Sequence, residues 1–529
     1  MFVTLDQLSL SASRVPASID TELEKYIAQT CGIRESDVLS YRILKRSLDA
    51  RKKPEVKILY RVEAELKDSA RPKIGECHPD AQSRWELPEF RNPYRVEHPI
   101  VIGAGPAGLF AAYVLALAGA KPVVLERGFD VVQRKVDLDS FFATRTRNEE
   151  SNFLYGEGGA GTWSDGKLFT RIKDERMAFV LNTFVACSAP ENILYFSHPH
   201  LGSDRLPEIV SNLRKKIIAL GGVFRWGANV KEIVVKNGVC CGVRLADGEM
   251  LAAPAVLAAC GHSARDLIKQ MTAAGLPHKL KGFQIGMRIE HRQRFINRMQ
   301  YGVDRSYPAL GAAEYSLALS PQNGDPSTGC ATFCMCPGGE IIPCTSTKGL
   351  LCTNGMSLYA RSGDFANSAV ITTVNGQNFK LAADAFAMIE RIERSAFEAG
   401  GLDYTAPAQA AACFMDGEQG HLPGETSYRL GRVPARLDLI LPRPVVATLR
   451  KALGRFDRLM PGFVREGVFT GVETRVSSPV RFERDPERLS VPGVPNLYLA
   501  GEGAGMAGGI TSAAVDGIRL AEKMLEYGC

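Results

Sequence analysis

Gly103-Ala104-Gly105-Pro106-Ala107-Gly108 sets three glycines at the spacing Gly-x-Gly-x-x-Gly, and Glu126 follows twenty-three positions after the first of them. Glycines so spaced allow a tight turn, a close approach of backbone to a pyrophosphate, and tight packing of a helix on a strand. The free N–H groups and positive end of that helix face the phosphates, and a carboxylate closing the next strand accepts hydrogen bonds from ribose hydroxyls. The chemistry implied is dinucleotide binding. An acidic Glu126 disfavours a 2′-phosphate, so NADP is not expected there. A second run, Gly501-Glu502-Gly503-Ala504-Gly505 continuing to Gly508-Gly509-Ile510, places another carboxylate and another helix start near the other end of the chain. NAD needs only one βαβ unit, whereas FAD is longer and needs a second grip for its ribityl chain and ring. The positive end of a second helix also suits the electron-accepting edge of a flavin. Together the two runs point to FAD and to oxidation–reduction.

Further candidates follow from these. Gly159, Ala160, Gly161 and Thr162 read as a loop that wraps the cofactor, because only glycine permits such close backbone approach. Arg127, Val230 and Gly261 are expected to join the cofactor-binding set. Three residues are candidates for catalysis. Lys167 could stabilise the negative charge of reduced flavin, or it could be a salt-bridged surface residue. His262 follows a strand end where cofactor-facing groups lie and could act as an acid or base, or it could cap a helix with Ser263 and Arg265. Arg475 could bind a substrate carboxylate or phosphate in bidentate fashion, or it could pair with Glu473. Arg288, Glu290 and His291, on a strand opening the central insert, read as cavity-lining groups.

The elements that must position these groups follow from pattern. Pro99 to Ile102 reads as a buried strand, Ala107 to Ala118 as an apolar helix, and Val123 to Leu125 as the next strand. Residues 100–120 are apolar enough to resemble a membrane span, but three glycines and Pro106 fit a buried βα unit better. Helices are expected after Lys173 and over Pro207 to Gly221, and strands around Val230–Val235 and Gly238–Leu245. The Asp247-Gly248 pair marks a hairpin turn. Leu497 to Ala500 is a strand and Ile510 to Leu525 a helix. No second Gly-x-Gly-x-x-Gly occurs between Gln284 and Pro461, so that stretch is expected to be a substrate or cap domain. NAD(P)H, if used, would visit the flavin without a Rossmann unit of its own. The fold expected is α/β. A Rossmann-type FAD-binding domain (95–283 and 462–529) carries an inserted α+β substrate/cap domain (284–461), with a small basic α+β domain (1–90) at the N-terminus. Arg71 to Pro93 reads as a linker.

The matched residues Gly103, Gly105, Gly108, Glu126 and Gly501-Glu502 resemble the two-dinucleotide-binding-domain flavoproteins, the glutathione-reductase-like class. Glu502 stands where that class usually has Asp. Asn152-Phe153-Leu154-Tyr155-Gly156-Glu157-Gly158-Gly159-Ala160-Gly161-Thr162-Trp163-Ser164-Asp165-Gly166-Lys167-Leu168, Gly261-His262-Ser263-Ala264-Arg265-Asp266, Phe333-Cys334-Met335-Cys336-Pro337-Gly338-Gly339 and Glu473-Thr474-Arg475-Val476-Ser477-Ser478-Pro479 are similar to an uncharacterised bacterial FAD-dependent dehydrogenase family. The resemblance spans most of residues 40–529. It implies an FAD oxidoreductase and brings no substrate with it.

Composition is ordinarily globular, at 45% apolar and 23% charged. The N-terminus lacks the basic and apolar regions of a signal peptide, so a cytoplasmic protein is expected, with no membrane partner. Thirteen Cys, an odd number, argue against a disulfide framework. Phe333 to Cys336 reads as a strand, Pro337-Gly338-Gly339 as a turn and Ile341 onward as the returning strand. Cys334 and Cys336 would then share a face. Packing as small apolar side chains outweighs a redox pair or a metal there, and no metal site is expected. Of the net charge of +6, residues 42–61 carry eight cations against Asp49 and Glu55. A solvated face is the plain reading; docking of an anionic partner or RNA is the alternative. Three functions are thus in play: an FAD-dependent dehydrogenase or reductase of a small organic substrate, a flavoprotein docking to RNA, and a flavin-binding assembly component.

Overall fold

Ile100–Ile102 (β1), Val123–Leu125, Val256–Ala258 and Leu497–Leu499 are short apolar runs with hardly a polar side chain. Such runs suit strands covered on both faces by helices. In the computed structural model, which describes residues 1–79, 85–304 and 307–528, they form a parallel sheet in the order Leu497–Leu499, Val256–Ala258, β1, Val123–Leu125, Val223–Arg225. The molecule is mixed α/β. Pro106–Leu117 (α1) follows β1 with Pro106 in its first turn, where the missing N–H costs nothing. Gly103 has φ +96°, and a Cβ there would meet the Ala259 carbonyl oxygen at 2.5 Å. Ile510–Tyr527 (α2) packs along α1. The expected strands 230–236 and 239–245 form, and the turn at Asp247-Gly248 leads into Met250–Ala252, which pairs antiparallel with 239–245.

Among the described residues the insert is built on a seven-stranded sheet. Phe283–Arg292 (β2) lies at its centre, between Phe365–Val374 and Val468–Glu473, and Cys330–Cys336 (β3) pairs with Phe365–Val374 on the far side. Two expectations change here. The insert's sheet continues past the boundary at 461, because Val468–Glu473 pairs with β2 and with Ala406–Ala410 before the chain returns to the parallel sheet. The hairpin expected across Pro337-Gly338-Gly339 does not close on itself. Glu340–Pro343 pairs instead with Thr353–Met356. The turn's backbone is taken by another segment: Gly339 N–H donates to Phe365 O at 2.8 Å, and Gly363 N–H to Gly338 O at 3.1 Å.

At the N-terminus four strands pair in the order Val38–Asp49, Lys57–Leu66, Phe2–Ser11, Glu76–His78, with helix Glu24–Cys31 beside them. Residues 80–84 of the expected linker lie outside the described residues. The basic stretch 42–61 meets carboxylates that a local count misses: Arg42 pairs with Glu63 (3.0 Å), Arg46 with Asp20 (3.1 Å) and Arg61 with Asp6 (2.8 Å). Arg46 also joins this domain to the segment at residues 195–197. Its N–H donates to Tyr195 O (2.7 Å), its C=O accepts from Ser197 N–H (2.9 Å), and its guanidinium lies 4.6 Å from the Phe196 ring centre. No described helix is long and apolar enough to cross a membrane.

The contact of α1 with α2 rests on missing side chains. A Cβ on Gly517 would lie 2.0 Å from the Ala107 carbonyl oxygen. Helix propensity alone favours Gly517→Ala by about 1 kcal/mol, whereas overpacking costs about 1–3 kcal/mol. We expect Gly517→Ala to lower the thermal midpoint; a rise would show that the two helices do not meet this closely.

Candidate functional site

A cavity runs along the carboxyl ends of the parallel strands and encloses about 1050 Å3, counting its mouth. Gly103, Gly105, Pro106, Ala107, Glu126, Arg127, Gly159, Ala160, Gly161, Val230, Gly261, His262, Gly501, Glu502, Gly508, Gly509 and Ile510 all line it. The structure therefore brings the two glycine runs, and the loop between them in sequence, to one wall. Ala104 and Gly108 stand behind that wall. Ala104 N–H donates to Glu126, and Gly108 packs so near Gly103 that a Cβ would fall 1.9 Å from its carbonyl oxygen.

Glu126 does more than the sequence shows. Its Oε1 accepts from Gly128 N–H and Gly156 N–H, both at 2.9 Å, and its Oε2 from Ala104 N–H at 2.8 Å. One carboxylate thus ties three backbone segments together. Because an ionised carboxylate offers about four lone pairs, Oε2 keeps capacity for a ribose hydroxyl. Next to it, the Arg127 guanidinium lies 4.0 Å from the Tyr155 ring centre and pairs with Glu150 (2.7 Å) and Asp266 (3.2 Å).

The loop 152–162 is held by buried charges with no motif to announce them. Glu157, with no exposed surface, accepts from Val131 N–H (3.0 Å) and from Arg214 Nε (2.8 Å). Arg134, equally buried, donates to Asn152 O and Glu157 O, each at 2.7 Å, and lies 4.5 Å from the Trp163 ring centre. Burial lowers its pKa to about 9, still well above neutral. Thr162 turns inward, donating to Glu157 O at 2.9 Å. So braced, Gly159–Gly161 comes against α1: a Cβ on Gly159 would meet Gly105 Cα at 3.1 Å. On the cavity side, a Cβ on Gly105 would find no atom nearer than 3.9 Å. Bare backbone therefore faces open space at Gly105, the middle glycine of the turn.

At the far end Glu502 Oε1 accepts from Ser478 N–H (2.8 Å) and from Lys281 Nζ (3.4 Å). His262 Nε2 lies 2.9 Å from the Arg475 carbonyl oxygen, to which it donates. Its Nδ1 is then the acceptor nitrogen of a neutral ring. Burial, with Arg475 and Arg265 adding to it, lowers the His262 pKa to about 4, so the ring is neutral at pH 7 and its one N–H is committed to Arg475 O. The capping alternative is not seen, since helix Arg265–Ala273 has no side-chain cap.

Lys167 and Arg475 do not line the cavity. Lys167 pairs with Asp165 at 2.5 Å and donates to Met335 O on β3. Burial opposes its charge, but Asp165 outweighs that and raises its pKa. Arg475 pairs neither with a free ligand site nor with Glu473. It reaches Glu393 (3.1 Å) and Ser346 Oγ (3.0 Å), while Glu473 takes Arg288 (3.1 Å). The expected cavity-lining trio of the insert is buried in other contacts: Arg288 also donates to Asn367 (2.7 Å), Glu290 accepts from Thr426 (2.9 Å), and His291 donates to Phe463 O (2.8 Å). Among the described residues no group of His, Cys, Asp and Glu is placed to hold a metal.

The donor set fits FAD. Two carboxylates mark the ends of the cavity, two helices begin at its wall, and side-chain-free backbone lies between. Residues 282–476 match the family model described as FAD-dependent protein, C-terminal domain-like, and residues 5–65 match a domain of unknown function. The cofactor is FAD. An uncharacterized protein of Clostridium beijerinckii is 38% identical over 532 residues, covering 98% of this chain and 99% of its own. Among solved structures, a mutant of the halogenase PltM in complex with FAD is 10% identical, covers 82% of this chain and 70% of its own, and has a TM-score of 0.39. CtdE in complex with FAD is 13% identical, covers 80% and 83%, and has a TM-score of 0.31. Both structural likenesses are too remote to carry an assignment.

Glu393, on the insert helix Ala382–Ala399, joins Arg265 (2.7 Å), Arg475 (3.1 Å) and Thr474 (2.6 Å) behind the cavity. Burial raises its pKa, but Arg265 and Arg475 outweigh that and bring it from the ordinary 4.5 down to about 2. A carboxylate lowered in the folded state stabilises fully above 4.5, and that stabilisation fades as pH falls towards 2. Glu393→Gln should flatten this part of the acid-stability curve. It should also cost about 3–5 kcal/mol at pH 7, because two buried cations lose their partner; urea midpoints at pH 7 and pH 3 measure both effects.

Proposed function

This chain belongs to the family of its clostridial relative, and from that footing we propose that it is an FAD-dependent oxidoreductase acting on a small organic substrate. The reading is a dehydrogenase or reductase that moves hydride between substrate and flavin. The observation that carries it is the continuous wall from Glu126 to Glu502, assembled from three glycine-rich segments.

When bound, FAD supplies the hydride-accepting and hydride-donating centre. The chain's own residues hold and orient. Glu126 takes a ribose hydroxyl, and the first-turn N–H groups of α1 face the pyrophosphate. Glu502, fixed by Ser478 and Lys281, accepts from ribityl hydroxyls. The start of α2 brings a positive dipole end to the same wall. His262 orients rather than titrates: its neutral Nδ1 accepts a hydrogen bond from a substrate hydroxyl or amine. A nicotinamide donor, if used, approaches from solution, since the insert holds no second glycine fingerprint.

Purified protein should be yellow, release FAD on acid treatment, and bleach anaerobically with NADH, NADPH or one of a panel of small acids and amines. A colourless protein that binds only NAD overturns the flavin assignment, and a flavin that none of these donors reduces overturns the dehydrogenase reading. Gly105→Val tests the wall itself. The backbone at Gly105 has φ −77° and open space beyond it, so the fold should survive at a cost of about 1 kcal/mol. FAD affinity should fall about 100-fold, because overpacking by about 2–3 kcal/mol lands on the cofactor alone.

A further inference from the structure

Away from the flavin cavity, the end of β3 carries a break in its pairing. Register with Phe365–Val374 shifts between Phe333 and Cys336, and Cys334 sits at φ +45°. A non-glycine residue in that region is strained and persists only where surrounding structure enforces it. Here the enforcement is visible. Arg288 Nη2 donates to Cys334 O at 2.7 Å and to Cys336 Sγ at 3.2 Å, and Lys167 Nζ grips Met335 O between the two cysteines. Asp165 and Arg361 stand behind Lys167, and Glu473 behind Arg288. Cys336 is buried, whereas Cys334 is half-buried beside a half-exposed Phe333.

We propose that Cys334 and Cys336 form a redox-active dithiol that is oxidised to an intramolecular disulfide by exchange with a small soluble disulfide. The inference is independent of the flavin chemistry. Cys336 folds back onto its neighbour, its Sγ donating to the Cys334 carbonyl oxygen at 3.3 Å; contact with Cys336, opposed by burial and reinforced by Lys167 and Arg288, pulls the Cys334 pKa down, while burial and its partner push Cys336 up. A merely packed cysteine behaves otherwise: burial pushes Cys330 up to about 12. Only a thiolate attacks a disulfide, so the pair comes with an order of events. The Cys334 thiolate attacks one sulfur of RSSR; that S–S bond breaks and RS− leaves, taking a proton from water. Cys336 then attacks Cys334 Sγ in the mixed disulfide, and its proton goes with the second RS−. Two protein thiols become one disulfide, and the electron pair reduces RSSR to two RSH.

The test uses the full-length flavoprotein in mixtures of reduced and oxidised glutathione. After an acid quench, it is alkylated under denaturing conditions and its peptides are mapped by mass. As oxidised glutathione rises, Cys334 and Cys336 should together lose both alkylation sites and appear as one linked species two hydrogens lighter, while Cys330, Cys344 and Cys352 stay alkylated. In Cys336→Ser the reaction should stop at glutathione attached to Cys334; in Cys334→Ser neither residue should be modified. A pair that remains a dithiol throughout, or a disulfide formed by other cysteines instead, overturns the proposal. Should either variant fail to fold, the wild-type map alone decides.

Discussion

A single carboxylate neutralises two buried guanidinium groups that reach it from different parts of the chain. Glu393 belongs to an insert helix; Arg265 opens the helix after Gly261, and Arg475 follows the last strand of the insert's sheet. A buried cation without a partner is strongly destabilising, so the insert cannot swing away from the cavity without exposing or stranding these charges. The same contact fixes the Arg475 carbonyl oxygen, and that oxygen fixes the tautomer of His262. The polar face offered to a substrate is thus set from behind, by groups that never enter the cavity.

The cavity wall follows the same logic on a smaller scale. Glu126 and Glu157 each hold backbone or arginine groups that would otherwise be unpaired inside the protein. Glycine lets the segments approach, but approach alone leaves N–H groups without acceptors, and these carboxylates supply them. Rigid walls of this kind bind a flexible cofactor without a large ordering cost in the protein.

How much of this was legible in the sequence varies with the range of the interaction. The Gly103–Glu126 unit, the Gly501–Ile510 run and the turn at Asp247-Gly248 are local, and residue spacing was enough to place them. The pairing of Glu340–Pro343 with Thr353–Met356, and the extension of the insert's sheet to Glu473, are choices among strands of similar pattern. Alternation along one strand does not name its neighbour. Charge partners were the least legible. Along the chain Arg475 stands two positions from Glu473, whereas its partner Glu393 is brought in by the fold. Likewise the basic stretch 42–61 looked unbalanced only because Asp6, Asp20 and Glu63 lie outside it.

The parallel sheet holds one more consequence. Val256–Ala258 sits between β1 and Leu497–Leu499, so one of its edges is completed by a segment made well after it. Until then that edge is an open template for pairing with other chains, and closing it joins segments far apart in sequence, which slows folding. The nascent polypeptide therefore passes through an interval in which the insert can mature while the nucleotide-binding half waits unsealed.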